Sequence, residues 1–149
     1  MTTTALKHIV CTIGGIAGGI FIQACGGWDT ALRMLILAMV IDYITGFIVA
    51  AVFHNSQKTP SGRLDSGAGL RGLLRKGGIL AVVIIAESID AAMGTQYIRD
   101  AAVVGFLINE SLSVLENVGL MGVEIPGPIK RAIDILHTKS EQEGESEDE

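Results

Sequence analysis

Asp42, Glu87, Asp90, Glu110 and Glu116 all stand within long apolar runs or at their edges, where a carboxylate is costly. At helical spacing each belongs to a polar face. Asp42 is followed by Thr45 and Gly46 at i+3 and i+4. Glu87 and Asp90 are i, i+3, with Gly94 continuing their face. Asn109, Ser113, Glu116 and Asn117 run i, i+4, i+7, i+8, with Glu110 beside them. A charged side chain at bilayer depth costs about 3 kcal/mol or more. These groups must therefore be protonated, paired, or turned towards water inside a bundle. Three chemistries are open: interhelical hydrogen bonds that orient a bundle, a polar surface that lines an aqueous opening when copies assemble, and a proton or cation relay. No Lys or Arg lies in the middle of these runs, and Arg33 reaches only the outer end of its own, so simple buried ion pairs are not expected.

Other chemistries find no support. The chain has no GxSxG, HExxH or GxxxxGK[ST] pattern. His8, His54 and His137 are scattered, and Cys11 and Cys25 form no CxxC, so no metal site and no cofactor is expected, nor is an enzyme. The net charge of -5 is concentrated in the C-terminal tail: Glu141–Glu149 holds six of the 16 acids, and the remainder is close to neutral. No basic field is available to attract nucleic acid.

The elements that must position the polar faces are apolar blocks of about bilayer length: Ile9–Ala24, Met34–Phe53, Gly77–Met93 and Ala101–Leu115, the last continuing to about Val118. Mean hydropathy is +0.49, and the 19 glycines suit packed membrane helices better than soluble ones. The expected fold is all-α, a polytopic membrane bundle of four helices, or of three if the first block drops out. That block is the weakest, about 24 Å as a helix. It carries Gly14, Gly15, Gly18 and Gly19 as overlapping GxxxG pairs, a face on which another backbone can approach closely.

Residues 54–76 read as a basic loop with Lys58, Arg63, Arg71, Arg75 and Lys76. Within it Leu70, Leu73 and Leu74 predict a short amphipathic helix at the lipid surface. The Lys and Arg distribution places this loop and the C-terminal region in the cytoplasm, with both termini on that side. Pro128 can open a further helix carrying Ile129, Ile133 and Leu136. The domain thus spans 1–137, and residues 138–149 form an acidic, disordered tail.

One series of residues is specific to a family. Asp42-Tyr43-Ile44-Thr45-Gly46, then Ser66-x-x-Gly69-x-x-Gly72 leading to Arg75-Lys76, then Asp90 with Gly94, precede Asn109-Glu110-Ser111-Leu112-Ser113-Val114-Leu115-Glu116-Asn117 and Gly122-Val123-x-Ile125-Pro126. Over about residues 34–137 the chain resembles the phage lysis and toxin-secretion holins of Gram-positive phages and clostridia. The resemblance implies a small multi-pass protein of the host or bacterial cytoplasmic membrane that forms homo-oligomers in the lipid bilayer and opens lesions. An endolysin, or a toxin, leaves through these as released cargo. The reading from residues alone keeps a second possibility, a small ion or proton channel or transporter subunit built on the intramembrane carboxylates. A third is a membrane adaptor without conduction.

Overall fold

A computed structural model describes residues 3–57, 61–129, 131 and 135. Helices α1 (Thr3–Ala24), α2 (Thr30–Ile48), α3 (Ser66–Met93) and α4 (Tyr97–Leu120) account for most of them, and the described residues contain no strand. α2 runs on into a π-helical turn, Val49–Phe53, which stops at His54 in the left-handed region (φ 51°). Lys58, the helix expected after Pro128 beyond its first turn, and the acidic tail lie outside the described residues.

Each helix start has a local cause. Asp29 caps α2 by accepting the Leu32 amide at 2.8 Å, and Asp65 caps α3 by accepting the Ala68 amide at 2.7 Å. α3 ends at Gly94, whose φ of 68° is one that glycine adopts freely and whose amide returns to the Asp90 carbonyl.

The boundaries revise the expected spans in three places. α1 begins at Thr3, so its 22 residues reach about 33 Å and the helix is no longer short. A helix needs no apolar residue in its first turns, so Thr3, Thr4, Lys7 and His8 simply extend it. The expected surface helix around Leu70 is instead the first part of a continuous α3 of 28 residues. Thr3–Ala24, Thr30–Phe53 and Tyr97–Leu120 are long and apolar enough to cross a membrane. α1 therefore qualifies, and α3 is the helix that falls short on apolarity, because Lys76, Glu87 and Asp90 all lie in its last 18 residues.

The core explains why those charges are tolerated. α2, α3 and α4 alternate in direction and bury one stripe each. The stripes are Leu32, Leu35, Met39 and Asp42; Lys76, Ile79, Val83, Ala86 and Asp90; and Arg99, Val103, Glu110 and Asn117. The apolar members form a single cluster with Cys25, and every stripe has a polar group at one end or both. In lipid such a core is held by close packing and hydrogen bonds, since hydrocarbon offers little hydrophobic contrast.

α1 differs from the rest. It buries no residue, and a Cβ added at Gly14, Gly15, Gly18 or Gly19 would meet nothing within 4 Å. Its glycine face is thus unoccupied within the protomer. Only its C-terminal end is held, through Gly26, whose φ of +88° and closeness to Glu87 and Arg99 leave no room for a side chain: a Cβ there would lie 2.6 Å from Glu87 Oε2.

Candidate functional site: a buried charge network in the helix bundle

Two of the three expected polar faces, those of Asp42 and of Glu110 and Asn117, converge on a residue assigned from sequence to the membrane surface. Lys76 is buried. Its Nζ donates to Asp42 Oδ2 at 2.7 Å and to Glu110 Oε2 in a short contact. The expectation that no base stands among the spans is therefore overturned, as is the surface role given to Lys76. The reason is helical phase. Lys76 begins the stripe that continues through Ile79, Val83, Ala86 and Asp90, so the packing that buries those residues buries it too.

Asn117 completes the network. Its Nδ2 donates to Asp42 Oδ1 at 3.0 Å and lies 3.1 Å from Thr45 Oγ1 and 3.3 Å from the Asp42 carbonyl. The Thr45 hydroxyl donates back along α2 to the Ile41 carbonyl at 2.9 Å. Both Asp42 oxygens are thus engaged by different helices. Lys76, Asp42 and Glu110 are all nearly closed to solvent, with side-chain exposures of 11%, 9% and 5%. Two carboxylates face one ammonium, so the fully ionised network carries one net negative charge. Such a network locks three helices while it is complete and is costly when any member is left alone.

A cavity of about 610 Å³ adjoins the network between α2, α3 and α4. Asn109, Ser113, Glu116 and Gly46 line it, as do Arg71 and Arg75. The polar face of α4 is therefore split: Glu110 and Asn117 turn into the bundle, while Asn109 and Glu116 are exposed beside the cavity.

Glu87 and Asp90 are not part of this site. They lie at the opposite end of the bundle, around a second base, Arg99. Asp90 caps α4 from the preceding helix, accepting the Arg99 amide at 2.8 Å, the Ile98 amide at 3.3 Å and the Thr95 hydroxyl. Arg99 is buried. Its Nε donates to the Cys25 carbonyl at 2.8 Å, and Nη1 binds Asp29 and lies 3.1 Å from Asp100 Oδ1. Glu87 is a more distant partner at 3.9 Å. The Arg99 guanidinium, helped by the Leu32 amide, holds the Asp29 carboxyl below the usual carboxylate range, against the opposing effect of partial burial. Sequence reasoning missed this cluster because Cys25 and Asp29 lie 74 and 70 residues before Arg99, at the edge of a different run.

Of the remaining basic residues, Arg63 is exposed in the connection before α3. No three His, Cys, Asp or Glu among the described residues are grouped to hold a metal ion. The chemistry of the site is the holding of charge between helices.

Comparison with known proteins places this geometry. The profile of the bacteriophage holin family matches residues 19–138, from the end of α1 through α4 and beyond. An uncharacterized protein of Listeria monocytogenes is 34% identical over 144 residues, covering 96% of this chain and 94% of its own length. An uncharacterized 14.9 kDa protein of Clostridium perfringens is 35% identical over 124 residues, 82% of this chain and 88% of its own. A probable holin of Bacillus phage phi105 is 33% identical over 119 residues, 79% of this chain and 82% of its own. No solved structure matches.

Proposed function

The chain belongs to the bacteriophage holin family, and on that premise we propose that it oligomerises in the cytoplasmic membrane and opens lesions that release an endolysin. The endolysin, or in some hosts a toxin, is cargo and not a bound partner. All four helices cross the bilayer, α3 with its charges turned into the bundle, and both termini face the cytoplasm. This follows the excess of Lys and Arg between α2 and α3 and after α4.

The observation that carries the reading is the Asp42–Lys76–Glu110–Asn117 network. In one protomer these groups satisfy each other, nearly closed to solvent at the edge of the cavity. An assembly that brings water to this face can replace each contact with a hydrogen bond to solvent. The same side chains then hold the protomer closed and line the opening. Glycine faces such as that of α1 supply close helix association between copies.

Lysis with a co-expressed endolysin tests this. Glu110→Leu should still reach the membrane fraction but fail to release the enzyme, while Glu110→Gln, which keeps size and most hydrogen bonding, should retain partial release. Wild-type release by the Leu variant would remove Glu110 from the opening and from assembly. Two carboxylates against one ammonium also suit a proton or cation path. A membrane that loses its ion gradients and retains its cytosolic enzymes would favour that reading.

A further inference from the structure

We propose that the cavity between α2, α3 and α4 binds the phosphodiester headgroup of an anionic phospholipid. The argument begins with the charges on its walls. Its acids are already engaged: Asp42 and Glu110 hold Lys76, Asp65 accepts the Ala68 amide as the cap of α3, and Glu116 has a partner. Its two remaining bases are not. Arg71 and Arg75 line the cavity from one face of α3, spaced i, i+4, and neither forms an ion pair among the described residues. The lining carries four acids and three bases, but Arg71 and Arg75 are the two bases without an ion-pair partner among the described residues, and they are the groups an entering anion would meet. Two guanidinium forks on adjacent turns suit the oxygens of one phosphate.

Depth and shape then select a lipid over a free anion. Arg71 lies five residues from the buried Lys76 towards the N-terminal end of α3, about 7–8 Å along the axis. With α3 crossing the bilayer, the part of the proposed function on which this step rests, the pair stands between the helix end and the interior, at the level where a headgroup joins its chains. The same cavity is also lined by Tyr43, Phe47 and Leu64, all substantially exposed. An amphiphile satisfies both kinds of surface, whereas inorganic phosphate satisfies one. Space is kept by glycine: Gly72 lines the cavity, and a Cβ there would meet no atom within 4 Å.

The test uses the full chain in nanodiscs of equal parts phosphatidylglycerol and phosphatidylcholine, transferred to mild detergent, with retained lipid counted by native mass spectrometry. The wild type should retain phosphatidylglycerol over phosphatidylcholine about tenfold, as expected for charge-assisted contacts to one phosphate. Arg71→Gln/Arg75→Gln should lose the preference. Both side chains are exposed, so the buried contacts stay in place, and circular dichroism checks the helix content. Gly72→Leu fills the space without removing charge and should lose it too. Arg63→Gln, outside the cavity lining, should behave as wild type. An absent preference in the wild type, its survival in both cavity variants, or an equal loss in Arg63→Gln would overturn the proposal. Millimolar inorganic phosphate should leave the lipid bound, and displacement would reassign the cavity to a free anion.

Discussion

Lys76 and Arg99 each sit at the centre of a set of carboxylates, at opposite ends of the same three-helix core, and the two clusters meet different solvents. The partners of Lys76, Asp42 and Glu110, are 9% and 5% exposed. Those of Arg99, Asp29 and Asp100, are 44% and 62% exposed, with Glu87 at 33%. If the base is lost, the acids around Arg99 are already largely exposed, whereas Asp42 and Glu110 meet solvent only where they line the adjoining cavity. The same pairing chemistry therefore yields a lock in one place and a pin in the other. The Lys76 cluster makes helix packing conditional on complete charge pairing. The Arg99 cluster fixes the α1–α2 connection to the α3–α4 turn, and its strength depends on the aqueous phase.

The largest effect should come from Lys76→Met, which leaves two carboxylates buried without their base. A loss of about 3–5 kcal/mol is expected, measured by SDS titration of the purified protein followed by circular dichroism. Adding Asp42→Asn and Glu110→Gln to that variant should restore most of the loss, because no charge is then stranded. Arg99→Met should cost less, about 2 kcal/mol, since its freed acids regain solvent. Equal losses from the two single variants would break the distinction between the clusters. The smallest effect is on pH dependence. The Asp29 carboxyl titrates below its ordinary value of 3.8 in the folded chain, so its contribution is complete above that value and is lost as pH falls through the lowered one. Thermal unfolding from pH 6 to pH 3 should show this acid-side loss reduced in Asp29→Asn. An unchanged profile would mean that other carboxyls set it.

The sequence carried the helices, the family and the existence of a polar face on α2 and on α4, because apolar runs and helical spacing are local signals. It did not carry depth. Lys76 ends a basic segment and begins an apolar one, and a base in that position reads as interfacial. Only the stripe through Ile79 and Val83 reveals that it turns inward. The role of Asp90 was hidden for a related reason. An N-cap is sought next to the helix it caps, but Asp90 reaches Ile98 and Arg99 from the helix before, eight and nine residues away. The start of α1 was misread because hydropathy marks where a helix is apolar and not where it begins.

The Lys76 network also sets an order of events as the chain is made. Asp42 precedes Lys76 by 34 residues, and Lys76 precedes Glu110 by another 34. At a synthesis rate of roughly 5–20 residues per second, each interval lasts about 2–7 seconds. During the first, Asp42 has been made and its base has not, so α2 carries a polar group without its charged partner. The arrival of α3 supplies the ammonium, and α4 then adds the second acid together with the Asn117 amide. Assembly of the protomer is thus ordered along the chain: α3 brings Asp42 its base, and α4 then adds the second acid and the amide that complete the network.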